Sequence, residues 1–262
     1  MSYHAAQSDG DAVLFDARSD AIAVITLNRP QRRNCLDKEV RAGLFAAWER
    51  FERDPALRVA VLTGAGKAFC AGGDLQEMVG TGMTVPPRDM FPLPYDTVEL
   101  TKPTIAAVNG AAFAGGWMIA QACDLCVAST TATFAVTEVK VGRSSPWAAP
   151  LIHMIPQRVM MEILLTGDPI DAQRAYEIGL VNRLAEPEQL LSTALELAGR
   201  IIAGAPLSVA AARQTVMLAT EMGRSAALQA ARHASTHCYE SDDAQEGPRA
   251  FAAKRAPRWT GR

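Results

Sequence analysis

Strong charge of either sign is missing from this chain: 26 basic residues stand against 28 acidic ones, a formal net charge of -2 over 262 residues. That balance gives no general attraction to nucleic acid or an anionic membrane, although a local basic pocket is compatible with it. Long apolar runs are missing too. The longest weakly polar stretch, residues 111–128, is broken by Gln121 and Asp124 and fails as a transmembrane span. The N-terminal "MSYHAAQSDGDAV" has neither a basic n-region nor an apolar centre, so it does not read as a secretory signal. The expectation is a soluble cytoplasmic protein with no nucleic-acid or membrane partner.

Cysteine is sparse and odd in number, five in all, which predicts reduced thiols rather than a disulfide framework. Cys123 and Cys126 form a CxxC, but no second pair exists. "ACDLCVAS" reads as a buried strand, on which side chains three apart would point to opposite faces. The dinucleotide fingerprint fails at Phe69, and a P-loop fails because Ala68 follows Lys67. No G-x-S-x-G elbow is present. His233 and His237 stand four apart, with Ala234 where a zinc protease needs glutamate; with His4 and His153 they read as surface histidines. No metal site and no resident cofactor are expected.

What is present is ordinary globular material, 49% apolar and 21% charged, long enough for one large domain or a domain with an appendage. "AVLFDARSDAIAVITLNRP" alternates and breaks at Ser19-Asp20 as a hairpin does. "DKEVRAGLFAAWERFERDP" puts Val40, Leu44, Trp48 and Phe51 on one helical face. "RVAVLTG", "PTIAAVNG", "DLCVAST" and "ATFAV" read as strands, and a short helix starts near Gly115. Residues 80–95, rich in proline and glycine, predict a loop able to act as a mobile lid. Helices are expected over 186–203, 206–221, 225–239 and 242–254, after a short "GLVNRL". They either pack back on the core or form a subunit interface. The class is α/β.

Two glycine-bearing turns follow buried strands: "TGAGKAFCAGGDL" and "NGAAFAGGWM". Each delivers a backbone N–H near a helix start, where donors lack internal partners. Two such donors converging on one oxygen make an oxyanion hole, and glycine lets that oxygen approach closely. Taken singly, each turn reads as a tight turn and nothing more.

In order along the chain, "KAFCAGGDL", "KPTIAAVNGAAFAGGWMIAQACD", "FAVTEVKVG", "LLTGDPIDAQRAYEIGLVNRL" and "EGPRAFAAKRAPRWTGR" resemble the crotonase (enoyl-CoA hydratase/isomerase) superfamily. The resemblance covers nearly everything from "VITLNRPQRRNCLD" onward. It implies a crotonase-like spiral of ββα repeats over residues 1–197, with a C-terminal helical trimerisation region over 198–262. It further implies a homotrimer or homohexamer and an acyl-CoA or enoyl-CoA substrate, coenzyme A entering only as part of that substrate. By the same resemblance the Gly73 and Gly115 amides bind the thioester oxygen, beside Ala71, and Glu138 is the active-site acid/base. Asp74 reads as a cap for the next helix. Phe251 and Lys254 fall where the family places its tail against the CoA nucleotide of a neighbouring subunit, and Lys67 is a further candidate contact.

Two departures matter. Hydratases of the family carry a second glutamate three residues after the Gly115 position; here that residue is Met118, which neither donates nor accepts a proton. After the base, "GRSSPWAAP" replaces small flexible residues, predicting a reshaped acyl pocket lined by Trp117, Met118 and Trp147; Arg143, Ser144 and Ser145 read as turn residues. One carboxylate suffices for double-bond isomerisation, and for hydration if another group holds the water. The expectation is therefore hydration or isomerisation of an enoyl-CoA. A CoA-thioester lyase or hydrolase and a catalytically silent acyl-CoA binder stay open beside it.

Overall fold

The computed structural model describes residues 10–82 and 84–262, leaving His4 outside. β1 (Val13–Ala17) and β2 (Ile22–Leu27) pair antiparallel, Val13 facing Leu27 and Ala17 facing Ala23. This is the hairpin read from the sequence. α1 (Lys38–Arg53) follows, opened by the Asp37 side chain, which accepts from the Val40 N–H at 2.9 Å. Its buried face is Val40, Leu44, Ala47, Trp48 and Phe51, each large side chain contributing roughly 1.5–3 kcal/mol of transfer free energy.

The chain then repeats one scheme. β3 (Val59–Gly64), β4 (Ala68–Cys70) and α2 (Leu75–Thr81) form the first turn of the spiral; β5 (Thr104–Val108), β6 (Ala111–Phe113) and α3 (Gly115–Gln121) form the second. β7 (Leu125–Ser129) and β8 (Thr133–Ala135) begin a third, continued by 3-10 turns at Glu138–Val141 and Pro146–His153 and by α4 (Gln157–Thr166). β9 (Ile170–Asp171), α5 (Ala172–Glu177) and β10 (Arg183–Ala185) complete the core. The long strands form a six-stranded sheet in the order β1-β2-β3-β5-β7-β10, parallel after the hairpin. The short ones form a second sheet, β4-β6-β8-β9. β8 is the strand read as "ATFAV", whereas β4 and β6 escaped sequence reading because three residues span barely one alternation.

Alternation decides which residues meet which layer. Val59 and Val61 of β3 face α6 (Leu190–Ile202), through Leu190, Ala194 and Ala198. Ala60 and Leu62 face the other way, into the larger core shared with α1, α3 and the second sheet. α6 runs unbroken through residues 197 and 198 and packs back on the large sheet. Beyond it lie α7 (Pro206–Glu221), α8 (Arg224–Glu240) and α9 (Asp242–Ala252). These three leave Val216, Leu228, Tyr239 and Phe251 exposed. No single helix among the described residues is long and apolar enough to cross a membrane.

One expectation is corrected. Cys123 is not on a strand: it lies in the turn after α3, and β7 begins only at Leu125. Cys123 and Cys126 therefore do not point to opposite faces but enter the same core. Both are free thiols, and burial drives both thiol pKa values up, that of Cys126 to about 12.

Candidate active site

The two glycine turns meet. A Cβ built on Gly72 would stand 3.3 Å from the Gly115 amide nitrogen, and one built on Gly115 would stand 3.5 Å from the Gly73 amide nitrogen. The first turn is fixed by its neighbour: Leu36 N–H donates to Gly72 O at 2.8 Å and Ala71 N–H to Arg33 O at 3.0 Å. Asp74 then caps α2, accepting from Gln76 N–H at 3.0 Å. The second turn is held by Ala114 N–H, donating to Ala135 O at 2.8 Å. Ala114 has φ 48 and ψ -118, a positive φ that a side chain disfavours, and the chain enters α3 directly after it. Neither Gly73 nor Gly115 donates its amide to a backbone acceptor among the described residues.

Both glycines line a cavity of 690 Å³, together with Ala71, Met118, Glu138 and Trp147. Glu138 enters from the first residue of the 3-10 turn that follows β8. Its Oε1 accepts from Trp147 Nε1–H at 2.9 Å, while Oε2 is buried with no partner among the described residues. Burial raises its pKa above the ordinary carboxylate value, a backbone N–H and the Trp147 donor pulling the other way. Trp147 is itself tied to α3: Gln121 Nε2 donates to its carbonyl oxygen at 2.8 Å.

Met118 lines this cavity; Trp117 does not. The expected three-residue wall loses one member for a geometric reason: consecutive residues on a helix point about 100° apart, so one of the two must turn away. Trp117 is fully buried, edge-on to Phe134 with ring centroids 5.7 Å apart. Arg143 and Ser144 reach the lining, whereas Ser145 does not. Lys67, Phe251 and Lys254 are exposed and outside the cavity wall. His153, His233 and His237 are exposed. A wall absent from the sequence reading comes from α2 and the loop behind it, through Leu75, Met78, Val85, Pro86 and Phe91. A period-based search could have found only Leu75 and Met78, three apart on one helical face. Cys35, Asp37 and Asp74 lie within 4.8 Å of one another, but Arg32 pairs with both carboxylates, which already serve as helix caps.

The arrangement has a chemical meaning. Two adjacent amides can receive an oxygen as it becomes anionic, and one half-buried carboxylate with a free oxygen can take up or release a proton beside it. Glu138 is the one carboxylate among the described lining residues.

A family model described as enoyl-CoA hydratase/isomerase matches residues 17–262. The chain is 41% identical to the (E)-benzylidenesuccinyl-CoA hydratase of Thauera aromatica, over 93% of this chain and 97% of that one. It is 38% identical to an enoyl-CoA hydratase of Mycobacterium tuberculosis, over 97% and 98% of the two chains. The crystal structure of an enoyl-CoA hydratase from Mycobacterium tuberculosis superposes with a TM-score of 0.89 at 38% identity, covering 96% of this chain and all of that one.

Proposed function

The chain belongs to the enoyl-CoA hydratase/isomerase family, and from that premise we propose that it adds water across the α,β double bond of an enoyl-CoA with Glu138 as its sole acid–base group. The thioester oxygen sits between the Gly73 and Gly115 amides. Glu138 Oε2 takes a proton from water as the water oxygen bonds to C3. The π electrons move onto the thioester oxygen, giving an enolate that the two amides hold. Glu138 then returns its proton to C2 and the carbonyl reforms. Atoms balance as one water added, and a single carboxylate serving both transfers delivers both groups to the same face of the double bond.

The observation that carries this reading is Glu138 lining the same cavity as Gly73 and Gly115, half-buried and with one carboxylate oxygen left without a partner among the described residues. The names of the relatives, both hydratases, favour hydration over other thioester chemistry. Met118 at the place of a second carboxylate favours the alternative, proton transfer between C2 and C4. Crotonyl-CoA and a 3-enoyl-CoA separate the two: hydration removes conjugated absorbance from the first, isomerisation creates it in the second. Glu138→Gln should cut either activity by ~10²–10⁴-fold while binding persists. A variant as active as the parent removes the assignment. Thioester binding with no turnover of either substrate in the parent would favour a silent binder.

For the rest of the substrate we assign Lys67, Phe251 and Lys254 to the CoA nucleotide, the last two from a neighbouring subunit; an ammonium beside a phosphate is a sound pairing. Their exposure is compatible with that role. The exposed apolar side chains of α7–α9 support self-association into a homotrimer or homohexamer.

A further inference from the structure

Trp147 sits in the segment where this chain carries bulky residues after its base, and it touches the chemistry in two ways. Its ring forms part of the cavity wall, and its indole N–H is spent on Glu138 Oε1 at 2.9 Å. Its own carbonyl is held by Gln121, the last residue of α3, at 2.8 Å.

We propose that Trp147 is a positioning residue for proton transfer: its indole pins Oε1, leaving Oε2, which has no donor among the described residues, as the oxygen that exchanges the proton, and Gln121 holds Trp147 in register. The proposal rests on the acid–base role assigned to Glu138 above.

A glutamate's terminal torsion is broad and roughly two-fold, so an untethered carboxylate presents either oxygen in many orientations. A donor on one oxygen removes that freedom. The choice of donor matters as well. Indole N–H is donor-only and does not ionise in this range, so it orients the carboxylate without competing for its proton. It does not replace the missing second glutamate as an acid. It makes one carboxylate sufficient by fixing which lone pair reacts. The same short helix begins with the Gly115 amide and ends with Gln121. The enolate-holding donor and the support for the base are thus mounted on one rigid piece, and their relative placement does not depend on the loop between 142 and 146.

Trp147→Phe keeps a ring in the wall and deletes the donor. The expected result is a fall in kcat on the order of tenfold with KM little changed. The acid limb of the kcat/KM profile should also move to higher pH, because the ionised carboxylate loses a hydrogen bond. A rise in KM with kcat and the acid limb unmoved would make Trp147 a wall residue only and overturn the proposal. Should that variant fail to fold, Gln121→Leu loosens the tryptophan without removing it; an unchanged kcat and acid limb there overturn the proposal equally. One readout needs no turnover. In the substrate-free protein, the ¹⁵N-labelled indole resonance that disappears in Trp147→Phe should shift with pH as Glu138 ionises, and should stay flat in Glu138→Gln. A resonance indifferent to pH in the parent protein overturns the clamp even if hydration is observed. A parent protein inert toward enoyl-CoA with a titrating indole instead sinks the proposed reaction and leaves the clamp standing.

Discussion

Gly116 lies against Cys70 so closely that a Cβ on the glycine would stand 2.0 Å from the cysteine carbonyl oxygen. α3 therefore rests backbone to backbone on β4, and the second glycine of the pair is a contact residue where the first is the proposed donor. Gly116→Ala must push α3 away from β4, taking the Gly115 amide with it. Overpacking of this kind costs about 1–3 kcal/mol, and misplacing one oxyanion donor costs ~10²–10³-fold in kcat. Thermal melting and turnover of this variant test both effects. Parental values in the two assays would contradict the packing argument.

Glu138 gives a pH dependence with a definite sign. Its pKa in the folded protein is raised by burial above the ordinary 4.5. The carboxylate must be ionised to take a proton from water, so kcat/KM should fall as pH drops through that raised value. The acid limb should stand above the ordinary carboxylate range. A limb at or below the range of a free carboxylate would show that burial does not govern the group.

The same shift bears on stability. In the interval between the unfolded and folded pKa values the native state holds more protons than the unfolded one, so stability falls as pH rises. The contribution is fully present below the unfolded pKa and lost once pH passes the folded one. Glu138→Gln, which cannot ionise, should therefore melt above the parent at neutral pH, with the gap closing in acid. A variant that melts lower at neutral pH would refute this.

How much of this was open to sequence reading depends on the kind of signal. The α1 face of Val40, Leu44, Trp48 and Phe51 is written in a helical period and came out as read. The hairpin came out as read from a different local signal, strand alternation broken at Ser19-Asp20. Gly73, Gly115 and Glu138 were named through motif resemblance, since a bare backbone donor leaves no periodic trace. Trp117 and Met118 were both expected in the pocket, but only the phase of α3 decides which of two neighbours faces inward. The Trp147–Glu138 hydrogen bond spans nine residues of irregular chain. No local rule predicts the direction of an indole across such a turn.

Ala114 supplies a prediction about strain. Its φ of 48 is a conformation that glycine adopts freely. Such strain costs on the order of 1–3 kcal/mol, whereas the extra unfolded-state freedom of glycine costs about 0.4–1 kcal/mol. Ala114→Gly should thus raise stability modestly in a urea titration. A clear loss would mean that the alanine methyl contributes more than the strain removes.

The central claim is that two main-chain amides grip the thioester oxygen, and the carbonyl itself reports on them. In Glu138→Gln, which holds substrate without turning it over, ¹³C-edited difference infrared spectroscopy of a bound enoyl-CoA labelled at C1 isolates that stretch. Strong donation from Gly73 and Gly115 should move it to lower wavenumber than in water, and Gly116→Ala in the same background should reverse much of the shift. A bound carbonyl that absorbs where the free thioester does would contradict the account.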